Sequence, residues 1–84
     1  MSPVELTLAI RARLQRETLP RSPSSRIMGE YGERALCAGC GEHITSAQAS
    51  YTVDFAPGVT PNSVRLHRQC FEIWQVECRV APSP

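Results

Sequence analysis

Two short motifs constrain this chain more than any other feature of its sequence. Cys37-Ala-Gly-Cys40 supplies two thiols, and His67-Arg-Gln-Cys70 supplies an imidazole and a third thiol. In the first motif a turn brings both sulfurs together, and in the second the i, i+3 spacing places both ligands on one face of a helical turn. Two such pairs converging on one ion form a closed tetrahedral site. The sequence therefore predicts one structural Zn²⁺ ion bound by Cys37, Cys40, His67 and Cys70.

The size of the chain explains why such a site would matter. It has 84 residues, of which only five are aromatic (one Trp, two Tyr and two Phe), so we expect one domain whose thin core needs a cross-link. A structural zinc ion contributes about 10–16 kcal/mol of apparent binding free energy in small finger peptides. Disulfides are the competing cross-link, but residues 1–19 carry charges and no continuous apolar run, unlike a secretory signal. We therefore expect metal binding in a reducing cytoplasm.

Charge is unevenly distributed along the sequence. The formal net charge is +1. Residues 1–28 contain five arginines and two glutamates, a net charge of +3, whereas residues 29–84 contain four arginines and six acidic residues, a net charge of −2. The basic residues therefore belong mainly to the N-terminal arm and not to the zinc-binding part. Since no apolar run is long enough to cross a bilayer, we expect no membrane association.

The N-terminal segment predicts an amphipathic helix over residues 3–18. Ser2 is a suitable N-cap, and a glutamate follows it by three residues as in a capping box. Leu6, Ile10 and Leu14 form an apolar stripe at four-residue spacing. We expect this stripe to pack on the zinc-binding part or on a second copy of itself. A basic helix for a membrane surface or for nucleic acid is the alternative, although it has few arginines for either role.

The sequence divides into three segments. Residues 1–19 form the helix, residues 20–28 read as a flexible linker because they contain two prolines and three serines, and residues 29–84 form the zinc-binding domain. Within that domain residues 49–55 alternate between apolar and polar side chains, and residues 63–66 alternate again after a Pro-Gly turn. These patterns predict an antiparallel hairpin, followed by a helix from about position 68 to about position 79.

Two further residues are rival metal ligands. His43 lies three residues after Cys40, but Cys37, Cys40 and His43 together would strain one short loop, so His67 is preferred. Cys78 is two helical turns beyond Cys70, about 12 Å at 1.5 Å per residue, and one zinc ion does not bridge that distance. We expect Cys78 to be a small buried apolar residue with a free thiol.

The order of knuckle, hairpin and helix resembles the treble-clef zinc fingers. The stretch Leu66-His67-Arg-Gln-Cys70-Phe71 is similar to the segment of LIM domains and of the zinc fingers of poly(ADP-ribose) polymerases in which His-x-x-Cys is followed by Phe. The same pattern resembles small uncharacterised bacterial zinc-finger proteins. The resemblance covers residues 37–80 and implies an α+β treble-clef fold with the same four ligands. It implies no function, because the sequence lacks the second zinc module of a LIM domain and its finger is acidic, unlike the polymerase finger.

The chemistry of the motifs separates three classes of function. Four good ligands leave no open position on zinc, so we expect no enzyme activity and no small-molecule substrate. A non-catalytic module for macromolecular recognition is the preferred interpretation, with a protein partner or self-association through the N-terminal helix. The alternative is a nucleic-acid-binding finger that uses the arginine-rich arm together with Arg65 and Arg68.

Overall fold

The computed structural model describes residues 2–21, 24–31 and 35–79, and these form the predicted α+β fold. An N-terminal helix precedes five antiparallel strands, and a second helix closes the described part of the chain. The elements are α1 (Pro3–Gln15), β1 (Ser24–Tyr31), β2 (Ala35–Leu36), β3 (His43–Ile44), β4 (Ala49–Phe55), β5 (Ser63–His67) and α2 (Arg68–Arg79). The strands make a three-stranded sheet in the order β1-β4-β5 and a small β2–β3 ribbon. Neither of these helices is long and apolar enough to cross a membrane.

Helix α1 begins as predicted and ends earlier. The Glu5 N–H donates to Ser2 Oγ (3.2 Å), which satisfies one of the free donors at the helix start. At the other end Glu17 adopts a left-handed φ of 61°, and the Thr18 N–H donates to the Arg13 carbonyl (3.0 Å). This pairing is a Schellman motif, a backbone arrangement that terminates helices. The helix therefore stops at Gln15 and not at residue 18.

The apolar stripe of α1 packs inside the protein. Leu6, Ile10 and Leu14 are all buried and join one hydrophobic core with residues of the sheet and of α2. At the border of this contact Arg11 forms an ion pair with Glu77 of α2, and its Nη2 lies 3.4 Å from Glu77 Oε2. Of the two arrangements expected for the stripe, packing against the chain's own zinc-binding part is the one found. The stripe is consequently not available for self-association.

Strand β1 differs from the prediction of a flexible linker over residues 20–28. Residues 24–28 form the first five residues of this eight-residue strand, which pairs antiparallel with β4. Ile27 lies opposite Val53 and Gly29 opposite Tyr51, with an irregularity in register between Ser24 and Arg26. Six of the eight residues of β1 are exposed, so backbone pairing and not side-chain burial holds this strand in place. Earlier in the same segment, Pro20 is fixed by its carbonyl, which accepts a hydrogen bond from Trp74 Nε1 (2.9 Å).

The core lies between the β4–β5 hairpin and the two helices. Val53 and Phe55 of β4 are buried on the face that α2 covers, as their alternation predicts. Aromatic rings join the layers: Phe71 of α2 stacks on Tyr51 at a centroid distance of 4.5 Å, and Trp74 meets Phe55 edge-on at 5.9 Å. The predicted hairpin and C-terminal helix are thus confirmed, and together they position the His67–Cys70 pair.

Candidate metal centre

The first ligand pair lies in a tight turn between β2 and β3. The Cys37 N–H donates to the Glu42 carbonyl (2.8 Å), and the Gly41 N–H donates to the Cys37 carbonyl (2.9 Å). Gly41 has a φ of +80°, a conformation that side chains of L-residues disfavour. Hydrogen bonding and glycine together therefore fold residues 37–41 into a knuckle that presents both Cys37 and Cys40.

The second ligand pair lies where β5 becomes α2. His67 is the last residue of the strand, and Cys70 follows in the first turn of the helix. The knuckle is tied to this junction by the Ala38 N–H, which donates to the Arg65 carbonyl of β5 (2.8 Å). Two segments that are distant in sequence are thereby brought to one point by backbone pairing.

The four predicted ligands converge. The candidate ligand atoms of Cys37, Cys40, His67 and Cys70 all lie within 4.8 Å of one another. Two ligands about 2.3 Å from a tetrahedral zinc ion lie roughly 3.8 Å apart, so a cluster of this size fits one ion. Cys37 and Cys70 are buried, while Cys40 and His67 are partly exposed. This donor set and its burial are those of a single structural zinc site.

Hydrogen bonds to its sulfur stabilise the thiolate form of Cys37 within this cluster. The Gly39 and His67 N–H groups lie 3.3 and 3.4 Å from Cys37 Sγ. A hydrogen bond from the Cys70 thiol, with those from backbone N–H groups, outweighs burial and lowers the pKa of Cys37 to about 4. The same Cys37–Cys70 bond and burial raise the pKa of Cys70, and burial raises the pKa of Cys40. Binding zinc at neutral pH therefore displaces thiol protons from this cluster.

The ring of His67 is oriented by acceptors on its far side. Its Nδ1 lies 3.4 Å from Cys40 Sγ and faces the cluster. Its Nε2 lies 3.0 Å from Gln48 Oε1 and 3.2 Å from the His43 carbonyl oxygen. With Nδ1 as the metal ligand, Nε2 carries the proton and donates to these two acceptors, as is usual for metal-bound histidines. Gln48 Oε1 also accepts from the Thr45 N–H (2.8 Å), which fixes the position of the glutamine side chain.

The role of Gln48 was not predictable from the sequence motifs. The residue lies outside both cysteine motifs, and no spacing rule connects it to His67. A weak signal exists in the Thr45–Gln48 turn. There the Gln48 N–H donates to the Thr45 carbonyl (3.0 Å), and the Thr45 N–H donates to the Gln48 side-chain oxygen. Only the pairing of β4 with β5, which sets Ser50 opposite His67, brings this turn to the imidazole.

Neither rival ligand belongs to the cluster among the residues that the structure describes. His43 is exposed on β3 and contributes its backbone carbonyl to the orientation of His67. Cys78 is half-buried and packs against the hydrophobic core, where burial raises the pKa of its thiol. The preference for His67 over His43 agrees with this geometry, and so does the separation of Cys78 from the site.

Helix α1 is seated directly on the knuckle. A Cβ atom at position 39 would lie 3.0 Å from Cys70 Cβ and 3.3 Å from Ile10 Cγ1, so only glycine fits without movement of its neighbours. Beside it, Arg13 Nη2 would lie 2.7 Å from a Cβ at position 41. The N-terminal helix therefore forms one wall of the metal centre and is not an independent appendage.

The chain matches no protein-family model, no curated protein and no solved structure.

Proposed function

We propose that this chain is a treble-clef zinc finger with a structural zinc ion, and that it acts by binding another protein. The observation that carries this proposal is the closed ligand set: four protein ligands converge at one point. Four ligands fill a tetrahedral shell, so no position remains for substrate or activated water. We therefore propose no catalytic role. The three thiol ligands favour a reducing compartment, and we place the protein in the cytoplasm.

A protein partner is favoured by the apolar residues that the fold leaves outside. On the outer face of α1 Val4 and Leu8 are 69% and 57% exposed, one helical turn apart and beside Arg11. Val76 of α2 and Tyr31 of β1 are also largely exposed. Exposed apolar and aromatic side chains near an arginine are typical of surfaces that bind proteins.

The nucleic-acid alternative uses the arginine-rich arm together with Arg65 and Arg68, and these last two arginines have contacts within the chain. Arg65 Nε lies 3.3 Å from Thr52 Oγ1, and Arg68 forms an exposed ion pair with Glu72 (3.4 Å). The exposed Arg68 pair is weak and does not prevent phosphate binding. Fluorescence anisotropy with single- and double-stranded DNA and RNA at about 50 mM salt would detect such binding, and its affinity would fall steeply as salt increases.

The proposed function is tested in two steps. Native mass spectrometry of protein purified without added metal should show one zinc per chain, lost on chelation together with the folded charge-state distribution. Zinc-loaded protein should then capture a protein that the chelated form and the Leu8→Asp variant do not capture. Gln15→Glu, at an exposed polar position of the same helix, is the matched control and should capture normally. Absence of a zinc-dependent partner, or binding of nucleic acid alone, would overturn the proposal.

A further inference from the structure

The outer edge of β1 is open in the part of the chain that the structure describes. The sheet order β1-β4-β5 gives β1 a neighbour on one side only. The strand is eight residues long, and only Ser24 and Glu30 are partly buried. An edge of this length presents a row of backbone donors and acceptors to which another strand can pair.

The register identifies which backbone groups point outward. In β4 the Phe55 N–H donates to the Asn62 carbonyl on the β5 side (2.7 Å). Because backbone groups of successive strand residues point to opposite sides, the odd-numbered residues of β4 bond towards β5 and the even-numbered ones towards β1. Thr52 therefore bonds to its partner Met28 in β1. The N–H and C=O groups of the neighbouring residues Ile27 and Gly29 point to the open edge.

We propose that β1 pairs antiparallel with β1 of a second copy of this chain, with the two-fold axis at Met28. This inference goes beyond the proposed binding of another protein, because it adds self-association at a second surface, the edge of the sheet. The axis places Ile27 opposite Gly29 of the second copy, so the outward backbone groups of both residues form hydrogen bonds across the interface. Two three-stranded sheets thereby join into one six-stranded sheet.

Charge complementarity selects this register. A two-fold axis at Met28 also places Arg26 opposite Glu30 of the second copy, and symmetry repeats this pair on the other side of the axis. Moving the axis to Ile27 or Gly29 keeps the backbone bonding possible but separates these opposite charges. Oppositely charged residues that face each other across strands stabilise the pairing, whereas like charges weaken it.

Neither charged side chain has an ion-pair partner within the described part of the chain. Arg26 is exposed and lies opposite Asp54 of β4, but it forms no ion pair there. Glu30 Oε2 is shielded from water and accepts no hydrogen bond from the described residues. A shielded carboxylate oxygen without a donor is unfavourable. The second copy's Arg26 would bring a guanidinium beside this carboxylate.

The N-terminal end of the strand limits pairing with unrelated chains. The irregular register between Ser24 and Arg26 interrupts the ladder at its N-terminal end. Bulges and charges at sheet edges are features that discourage indiscriminate strand addition. In β1 they leave a short central segment, residues 26–30, in which opposite charges face each other when two copies of the strand pair antiparallel.

The experiment measures the mass of the full zinc-loaded chain by sedimentation equilibrium. We expect a monomer–dimer equilibrium with dimer as the main species near about 100 μM. Arg26→Glu and Glu30→Arg should each raise the dimer dissociation constant about tenfold or more, because two facing pairs change from attraction to repulsion. An equimolar mixture of the two variants should recover dimers, since each then faces the opposite charge. Arg21→Glu makes the same charge change at an exposed position outside β1 and should have no effect.

A second variant tests the backbone contact. Ile27→Pro removes an outward N–H without removing a bond to β4, and proline is tolerated at strand edges of this kind. It should abolish the dimer while one zinc per chain is retained. A single-chain mass up to about 1 mM, or dimers unaffected by both charge variants and by Ile27→Pro, would overturn the inference. A monomer that still binds another protein in a zinc-dependent manner would refute self-pairing and leave the proposed function intact.

Discussion

The glutamine beside the metal-binding histidine gives the sharpest prediction about the site. We predict that Gln48→Ala weakens zinc binding although Gln48 is not a ligand. Its side-chain oxygen is the nearer of the two acceptors for His67 Nε2, at 3.0 Å against 3.2 Å for the His43 carbonyl. Without this acceptor, the imidazole is held less firmly in the orientation that points Nδ1 towards the metal. The Thr45 N–H also loses its side-chain acceptor.

The expected loss of zinc affinity depends on the hydrogen-bond acceptors that His67 keeps in the variant. Removing an outer partner of a metal-bound histidine costs about 10–100-fold in metal affinity. Gln48 is exposed and the His43 carbonyl stays in place, so water and the second acceptor compensate in part. We therefore expect the lower end of the range, about tenfold in the zinc dissociation constant, which corresponds to about 1.4 kcal/mol.

The assay is competition for zinc between the protein and a chromophoric chelator, with cobalt spectra as an independent measure of the ligand geometry. Gln48→Glu keeps an acceptor at the same position and should bind zinc at least as tightly as the wild type. Gln69→Ala is the matched control, because Gln69 is exposed between His67 and Cys70 and no hydrogen bond of its side chain contributes to the site. Long-range proton–nitrogen spectra of His67 should report a metal-bound Nδ1 and a protonated Nε2.

Two results would refute this account of the histidine. The first is equal zinc affinity of the wild type and Gln48→Ala, with unchanged nitrogen shifts of His67. The second is metal bound at Nε2, which would require the ring to turn over and would break its contacts with both acceptors. A loss of affinity shared equally by Gln69→Ala would indicate a general effect on stability and would also contradict the prediction.

Further predictions concern the ligands, the helix and the pH. Cys70→Ser should unfold the protein because metal binding supplies most of the folding free energy, whereas His43→Ala should leave zinc affinity within about twofold, both measured by zinc titration with circular dichroism. Ile10→Ala should lower the free energy of unfolding by about 2–4 kcal/mol and the exposed Leu8→Ala by less than about 0.5 kcal/mol in urea titrations of the zinc-loaded protein. Glu17→Gly should raise it by about 1 kcal/mol, because glycine adopts the left-handed φ of 61° without steric cost; an unchanged or lower midpoint would contradict the Schellman geometry. Lowering the pH should release zinc and unfold the chain together, because protons compete with the metal for thiolates.

The metal centre was predictable because its chemistry is local. Each ligand pair is encoded within four consecutive residues, Cys37–Cys40 and His67–Cys70, and the alternation in residues 49–55 fixes the strand that brings them together. The orientation of the histidine was not predictable in the same way. It depends on Gln48, whose contact with His67 arises only from the pairing of two strands.

Strand β1 was missed for a different physical reason. Sequence patterns reveal strands through alternating burial, and β1 has an almost continuously exposed profile. Its stability comes from backbone pairing with β4, which any sequence without prolines at the paired positions supports. Likewise, the end of α1 depends on Glu17 adopting a left-handed conformation that usually signals glycine. The ion pair between Arg11 and Glu77 joins residues at opposite ends of the chain, where no spacing rule applies.

The seating of α1 on the knuckle has a consequence for the life of the protein in a cell. The ribosome makes this helix before its burial site, which consists of Gly39, Cys70 and other residues synthesised later. If the metal centre does not fold without zinc, the stripe of Leu6, Ile10 and Leu14 would lack its packing surface and would be open to proteases. Cellular abundance of the protein should therefore follow zinc supply through degradation, even at a constant rate of synthesis.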